Sequence, residues 1–427
     1  MAGTPTFGMS LAETSPTAGR TGDFVAVTTL FFAWGFITST IDPLVTAVRT
    51  LFSLSYTESM LTQFAFFTAY GIVSLPGAII VARLRYGGAI VASLLAMLAG
   101  ALFIPVATGL DTYGLVLAAL FVVGAGITVL QVAANPLAAA LGPPEGSHFR
   151  LTLSQAFNSL GTVLGPIMAS TVMLRGGVFG DHAGSAERAQ SFGNVDTAFL
   201  GMAAMILVLA LFMGRVRKRL DRAAPVGGSG ASVWTALGSR WALLGAAAIF
   251  LYVGAEVSIG SSMINFLSQR DVLGIPVDRA GQLLGVFYWG GAMVGRFAGS
   301  MVLRRVPAPL ALTVVASVAT LLCLTVTQAA GGVAAVAALA VGTMNAIMFP
   351  TIFTVTLERS TAPTAATSGL LCMAIVGGAV LPVMFGRIAD LADLHAAFFV
   401  PMTAYAVISL IAFAARRAPI AAVPESA

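Results

Sequence analysis

Residues 114–134 read GLVLAALFVVGAGITVLQVAA, a run of 21 positions without a charged side chain. At about 1.5 Å per residue, an α-helix of this length crosses the roughly 30 Å hydrocarbon core of a bilayer. Strands of a membrane barrel would instead alternate apolar and polar residues over about ten positions. The run does not alternate, so it predicts a transmembrane helix and an all-α fold.

The rest of the chain has the same character. Its 427 residues are 58% hydrophobic and 9% charged, with a mean hydropathy of +0.94. Soluble globular chains carry roughly 25% charged residues, so the composition excludes a mainly water-exposed surface. Twelve stretches are long and apolar enough to be membrane spans, namely 24–48, 58–82, 88–107, 112–141, 148–175, 195–215, 240–268, 279–303, 308–328, 331–357, 365–389 and 395–415.

The basic residues predict how these spans are oriented. With twelve spans, both chain termini lie on the same side of the membrane, and 15 of the 22 Lys and Arg residues then fall on that side. Cytoplasmic loops carry such an excess of basic residues. We therefore predict that both termini are cytosolic, and we attribute the net charge of +5 to this topology and not to nucleic-acid binding. The polar N-terminus lacks the apolar core of a signal peptide.

A polar segment divides the spans into six and six. It is RVRKRLDRAAPVGGSGASVWTALGSR, residues 215–240. The predicted organisation is a cytosolic N-terminal tail (1–23), an N-terminal six-helix bundle (24–215), a cytosolic linker (216–239), a C-terminal six-helix bundle (240–415) and a cytosolic C-terminal tail (416–427).

The two sets of six spans repeat each other. QVAANP at 131–136 and NAIMFP at 345–350 each place an amide five residues before a proline, and GTVLGP at 161–166 matches GGAVLP at 377–382. Repeats in parallel orientation are one of the recurring plans of transporters, with the solute site near the midplane between the halves. We therefore expect two pseudo-symmetric six-helix bundles.

Two carboxylates lie within predicted spans, Asp42 and Glu256. A carboxylate inside a membrane is costly and is a functional candidate by default, although it can also tie helices together. A low-dielectric cavity disfavours its charged form, so such a group can take up and release a proton. We predict that Asp42 and Glu256 serve proton coupling and sugar binding, with Asp42 as the proton carrier and Glu256 as a sugar ligand.

Amide side chains provide further candidates for solute binding. Gln131 and Asn135 are four residues apart and Gln155 and Asn158 three apart, so each pair shares a helix face. Amides donate and accept hydrogen bonds, as the hydroxyls of a sugar do. Hydrogen bonding between helices is the alternative role. The predicted substrate-binding residues are Ser39, Asp42, Gln131, Asn135, Gln155, Asn158, Glu256 and Asn345, and several aromatic residues, among them Tyr288 and Trp289, could stack on a sugar ring.

Four arginines occur at equivalent ends of the second and eighth spans. They are Arg83, Arg85, Arg296 and Arg304. We predict that they form a cytosolic gate, which holds the halves together in one state; the alternative is that they only set the orientation in the membrane. The spacing of His, Cys and acidic residues gives no metal-binding pattern, and we expect neither a metal nor a cofactor.

These strings resemble the major facilitator superfamily, and within it the bacterial fucose–galactose–glucose permeases. The resemblance rests on FFAWGF, QFAFFTAY, LQVAANP, RLTLSQAFNSLGTVLGP, YVGAEVSIGS, GRFAGS and MFPTIF, which are spread over nearly the whole chain. It implies two six-helix bundles, alternating access and cation-coupled sugar uptake across the bacterial inner membrane.

The resemblance also implies roles for single residues. Asp42 falls at the position of an essential aspartate that resembles a proton carrier, and Gln155 and Asn158 fall at sugar-contacting amides. The chain departs from the fucose permeases at Gln131, where they have a glutamate, and at Ile41, where an asparagine usually precedes the aspartate; Ser39 stands in place of another asparagine. The first departure is similar to the glucose and galactose permeases.

The sequence therefore predicts a proton-coupled symporter for a hexose such as glucose or galactose. Sodium coupling, an N-acetylhexosamine substrate, a proton-coupled efflux antiporter and, outside transport, a membrane sensor are the alternatives. The expected partners are a sugar, a coupling cation (a proton rather than sodium) and the lipid bilayer, with a monomer as the functional unit. No catalytic constellation is visible, so we do not expect an enzyme.

Overall fold

The computed structural model describes residues 17–141, 147–179, 185–223, 233–303 and 305–419. Over these residues the chain is helical and contains no strand. The α-helices are α1 (Thr17–Ser39), α2 (Ile41–Leu51), α3 (Tyr56–Ser59), α4 (Leu61–Gly109), α5 (Tyr113–Ala140), α6 (Ser147–Met173), α7 (Ser185–Ala223), α8 (Arg240–Leu267), α9 (Val277–Leu283), α10 (Gly290–Val302), α11 (Ala308–Gln328), α12 (Gly331–Asn345), α13 (Met348–Arg359), α14 (Thr364–Met373), α15 (Gly377–Leu391), α16 (Leu394–Ala397) and α17 (Phe399–Ala415).

The helices follow the predicted spans. Ten helical stretches of the described chain are long and apolar enough to cross a membrane, and they match ten of the twelve predictions. The other two predicted spans, 58–82 and 279–303, fall on the first part of α4 and on the run from α9 to α10, which are helical as well. The prediction of an all-α membrane protein with twelve spans in two halves is confirmed.

The helix ends differ from the prediction in two places. α7 runs over Ser185–Ala223, so it exceeds the predicted span 195–215 on both sides, and residues 216–223 of the predicted linker are helical. α1 begins at Thr17, inside the predicted tail. Lys, Arg and Leu are good helix formers, so a helix can continue beyond the bilayer without an apolar sequence. Residues 1–16, 224–232 and 420–427 of the predicted tails and linker lie outside the described residues.

A single residue breaks α4 between the second and third predicted spans. The backbone of Arg85 has φ 61° and ψ 174°, a conformation that residues other than glycine rarely adopt. Two residues later, the N–H of Gly87 donates a hydrogen bond to the carboxylate of Asp221 in α7 (2.7 Å). The backbone of Arg217 lies so close to Gly87 that a Cβ would not fit there. A tight break attached to α7 therefore replaces the predicted loop over 83–87.

Four predicted spans are interrupted near their middle. The first breaks at Thr40 between α1 and α2, and the tenth breaks after Asn345 between α12 and α13. The eighth contains a π-helical turn over Leu284–Trp289, and the eleventh a 3-10 turn over Ala374–Val376. Membrane helices tolerate such interruptions where the backbone is buried in protein or lines a cavity. Transporters also place their solute sites at discontinuous helices.

Glycines let α1 and α6 approach closely. Gly35 of α1 faces the backbone of Asn158, and Gly161 of α6 faces the backbone of Phe32, at distances that leave no room for a Cβ. Small residues allow this kind of backbone contact between membrane helices. The contact holds the first span, which continues into α2, against the helix that carries the second pair of amides.

Candidate functional site

Asp42 is bonded to both halves of the protein. It lies in the first turn of α2 and is 4% exposed. Its Oδ1 accepts hydrogen bonds from Ser261 Oγ (3.1 Å) and Gln63 Nε2 (3.3 Å), and its Oδ2 accepts one from Trp289 Nε1 (3.1 Å). Gln63 belongs to the N-terminal half, whereas Ser261 and Trp289 belong to the C-terminal half. The carboxylate therefore bridges the interface between the halves.

The break at Thr40 gives Asp42 this position. The hydroxyls of Ser39 and Thr40 donate to backbone carbonyls of the preceding turn, including that of Phe36. Side chains that bond to the backbone in this way bend helices. A new helix begins at Ile41, and its N-terminal end favours a negative charge in the first turn. Ser39 itself is buried and is occupied with its own helix.

The π-helical turn brings two aromatic side chains to the site. Trp289 donates its indole N–H to Asp42, and the adjacent Tyr288 donates its hydroxyl to the backbone carbonyl of Glu256 (3.0 Å). A π-helical turn is wider than an α-helical one and is frequent at functional sites. This one turn reaches the surroundings of both intramembrane carboxylates, because neighbouring residues in it point to different partners.

Glu256 lies at the edge of a polar network in the C-terminal half. Its side chain is half-buried in α8, and its Oε1 accepts a hydrogen bond from Tyr252 (2.7 Å). The network continues through Asn345, whose Nδ2 donates to the hydroxyl of Tyr288 (3.1 Å) and whose Oδ1 accepts from the hydroxyl of Tyr405 (2.8 Å). Within the described chain no donor contacts Oε2 of Glu256, so this oxygen is free to bind a ligand. Asn345 is buried, and both ends of its amide are in use.

The predicted gate arginines occupy different places. Arg296 of α10 donates to the hydroxyl of Ser159 in α6, so it connects the two halves inside the bundle. Arg83 and Arg85 are exposed, and Arg85 donates to the backbone carbonyl of Asp221 within its own half (3.4 Å). Arg304 lies outside the described residues. In this conformation only Arg296, among the three described arginines, links the halves.

The amides of the N-terminal half are partly occupied by protein. Gln131 donates to the hydroxyl of Tyr70 (2.9 Å), and Asn158 donates to the backbone carbonyl of Phe31 in α1 (3.0 Å). In contrast, Oδ1 of Asn135 is buried and has no hydrogen-bond partner among the described residues. Leaving such an atom unpaired costs about 1–3 kcal/mol, so a water or a ligand is expected there.

The structure adds site residues that sequence reasoning missed. Gln63, Ser261 and Tyr252 bind the two carboxylates, yet none was among the predicted site residues. Gln63 and Ser261 are neutral side chains in apolar spans, 21 and 219 residues from Asp42, and nothing in their spacing indicates this partner. Tyr252 is four residues before Glu256 on the same helix face, a spacing that could have indicated the contact. Asp42 and Glu256 themselves are connected by the π-helical turn, which donates to the side chain of Asp42 and to the backbone of Glu256.

The second amide pair allows a test of binding against packing. Gln155→Ala is expected to weaken sugar binding roughly 2- to 10-fold, the loss of one neutral hydrogen bond, with little change in thermal stability. Asn158→Ala removes the bond to α1 and is expected to lower the melting temperature more than Gln155→Ala does. Isothermal titration with a hexose and a thermal-shift assay measure the two effects. Unchanged affinity in both variants would assign the pair to packing.

An all-helical membrane protein with a polar site between two halves is the architecture of a solute carrier. The chain matches the family described as Major Facilitator Superfamily over residues 24–371 and belongs to it. It is 42% identical over 401 residues to a protein named "Glucose/galactose transporter" from Brucella abortus biovar 1 (strain 9-941), with 93% of this chain and 95% of the relative covered.

More distant relatives are similar over comparable lengths. The chain is 36% identical to a "Putative glucose/galactose transporter" of Helicobacter pylori (strain ATCC 700392 / 26695), covering 89% of this chain and 93% of the relative. It is 29% identical to the "L-fucose-proton symporter" of Escherichia coli (strain K12), covering 91% and 92%. Among solved structures, the transporter FucP in the outward conformation superposes with a TM-score of 0.68 at 26% identity, over 93% of this chain and 99% of that one.

Proposed function

We propose that this protein is a proton-coupled symporter that carries a hexose such as glucose or galactose across the bacterial inner membrane. The observation that carries the proposal is Asp42, a buried carboxylate between the halves whose bonded partners are all neutral donors. The names of the relatives, glucose/galactose transporter and L-fucose-proton symporter, support the same class of substrate and a proton as the coupling ion. The protein is a transporter and not an enzyme.

The surroundings of Asp42 favour a proton over sodium. A metal cation requires several oxygen ligands around it. The indole of Trp289 can only donate, and Gln63 turns its amide nitrogen toward Asp42. The N–H groups that Trp289 and Gln63 present to the carboxylate cannot ligate a metal cation, whereas a proton needs no further ligand. Sodium coupling remains an outcome that the uptake experiment below distinguishes.

The side chains around the interface suit a polyol. Among the residues that the structure describes, no donor reaches Oδ1 of Asn135 or Oε2 of Glu256, and Gln155 is half-buried with an amide that both donates and accepts. A hexose presents hydroxyls that match such groups one by one. A lipophilic cation would gain nothing from the amides, which argues against the efflux antiporter.

Orientation and assembly follow from the same proposal. We place the chain termini in the cytosol, because the excess of basic residues lies on their side. We call the side of the termini the terminal face and the opposite side the far face.

Both halves of the proposed site belong to one chain, so a monomer is sufficient for transport. The proposal assigns Asp42 to the proton, and Glu256, Asn135 and Gln155 to the sugar.

Counterflow in proteoliposomes tests the substrate. Vesicles loaded with unlabelled glucose, galactose, fucose or N-acetylglucosamine are diluted into the labelled sugar, and transient accumulation identifies a transported sugar. We expect glucose and galactose to give it. Uptake driven by an imposed pH gradient, compared with an imposed sodium gradient, then identifies the coupling ion. If none of these sugars gives counterflow, the proposed sugar symport is refuted, and a membrane sensor or an efflux antiporter is the remaining function.

A contact at the far face provides a test of alternating access. The carboxylate of Asp390, at the end of α15, accepts hydrogen bonds from the backbone N–H groups of Tyr56 and Thr57 at the start of α3 (both 2.7 Å). These bonds join the two halves. Asp390→Ala removes them, and charge-assisted bonds contribute about 1.5–3 kcal/mol, so we expect at least a roughly 10-fold shift toward an open far face.

Spin labels on the far-face loops measure this shift. Cysteines at Leu110 and Ala330, both exposed and on different halves, carry the labels after Cys323 and Cys372 are replaced by serine. Double electron–electron resonance in lipid nanodiscs then reports the fraction with long distances. Asp393→Ala is the matched control, because Asp393 also caps a helix but only within its own half. Equal distance distributions in the two variants would show that Asp390 does not hold the far face closed.

A further inference from the structure

The hydrogen bonds of Asp42 form the innermost of three cross-half layers on the side of the far face. The outermost layer is the contact of Asp390 with α3. Between them, Asn265 Nδ2 of α8 donates to Thr46 Oγ1 of α2 (3.1 Å). Asp42 is one turn before Thr46 on α2, and Ser261 is one turn before Asn265 on α8. The layers therefore lead from the surface inward to the proposed proton site.

The three donors around Asp42 fit its ionised form. An ionised carboxylate is an acceptor only, and it receives bonds from Ser261, Gln63 and Trp289 without conflict. Hydrogen bonds to an ionised acceptor are roughly twice as strong as neutral ones. When Asp42 is protonated, its carboxyl group is neutral and carries an O–H donor of its own. The hydrogen bonds that it accepts from Ser261 and Trp289 across the interface are then weaker.

Other charged groups lie on the elements around α2, but Asp42 is the one whose change of charge alters the contact between the halves. Glu256 of α8 is the other carboxylate of the site, and a like charge nearby disfavours the ionised form of Asp42. Arg49 of α2 lies over the ring of Tyr56 (3.8 Å), and Arg188 of α7 pairs with Asp111 (2.9 Å). The two arginines are engaged near the far face, and neither provides a counter-ion for the carboxylate.

We propose that Ser261 and Trp289 form a clasp on Asp42 that closes the far side while Asp42 is ionised and releases it when Asp42 takes up a proton. The proposal rests on the assignment of Asp42 as the proton carrier. Protonation from the far side keeps that side open until sugar binds, and loss of the proton to the other side favours closure. Ser261 and Trp289 are thus positioning residues, because they turn the charge of Asp42 into a preference between two conformations.

The clasp predicts a pH dependence of the far-face distance. With the labels at Leu110 and Ala330, the long-distance fraction of the otherwise unchanged protein should rise as the pH falls. Trp289→Phe keeps the ring but removes the N–H, and Ser261→Ala removes the hydroxyl. Each should raise the ratio of open to closed far face at high pH by roughly 10-fold and flatten the pH dependence. Asp42→Asn should remove the pH dependence entirely.

A second tryptophan provides the control. Trp241 lies in the first turn of α8, at the other end of that helix from Ser261, and Trp241→Phe should behave as the unsubstituted protein. A wild-type pH dependence in both Trp289→Phe and Ser261→Ala would overturn the clasp. Counterflow and pH-driven uptake by the unsubstituted protein separate this outcome from the proposed function, since a protein that is no sugar symporter shows neither, whatever the far-face distances of the variants.

Discussion

Asp42→Asn should abolish sugar accumulation driven by a pH gradient, while exchange of sugar down its own gradient continues. Asparagine keeps the size of the side chain but cannot bind and release a proton. Its amide oxygen can still accept from Ser261 and Gln63, so the fold around α2 is preserved. The accumulation ratio should fall to about one. Uptake of labelled sugar into proteoliposomes with and without an imposed pH gradient measures it.

Two further variants sharpen this experiment. Asp42→Glu retains the carboxylate and is expected to keep part of the accumulation, because the longer side chain misplaces the charge in a buried site. Asp111→Asn is the matched control, since Asp111 is paired with Arg188 at the surface, where an ion pair contributes little. Normal pH-driven accumulation by Asp42→Asn would show that Asp42 is not the proton carrier.

The second large effect concerns Glu256→Gln. The substitution keeps the shape and one acceptor but removes the negative charge. Hydrogen bonds from sugar hydroxyls to an ionised oxygen are stronger than those to an amide. We expect a loss of about 1–2 kcal/mol, roughly 5- to 30-fold in the Kd for sugar. Sugar-dependent proton movement should remain measurable at saturating sugar, because Asp42 is intact.

The result distinguishes the roles of the two carboxylates. Counterflow over a range of sugar concentrations gives the apparent affinity, and a pH electrode records proton movement in the same vesicles. Glu187→Gln in the first turn of α7 is the control, because it removes a carboxylate that precedes the predicted span of that helix, 195–215. If Glu256→Gln exchanges sugar with normal affinity yet cannot accumulate it, Glu256 carries the proton and the assignment of the two roles is reversed.

The sequence predicted the architecture because the bilayer imposes a pattern that can be read locally. A run such as 114–134 needs only its own length and apolarity to form a membrane helix, since every backbone group must be paired within it. The same reasoning singled out Asp42 and Glu256, because a charge inside a span stands out against its neighbours. It did not predict the break at Thr40, where Ser39 and Thr40 bond to the preceding turn of their own helix, or the π-helical turn over Leu284–Trp289, which no run of apolar residues indicates.

The sequence alone therefore determined the membrane fold, the two halves and the two intramembrane carboxylates, all of which follow from local composition and repetition. The tertiary structure alone decided the partners that Asp42 has in the C-terminal half. Ser261 and Trp289 reach Asp42 from about 220 and 250 positions away, and Arg296 meets Ser159 across the same interface. Hydrogen bonds form between groups about 3 Å apart, and the packing of helices against one another, not their order in the chain, brings such groups together.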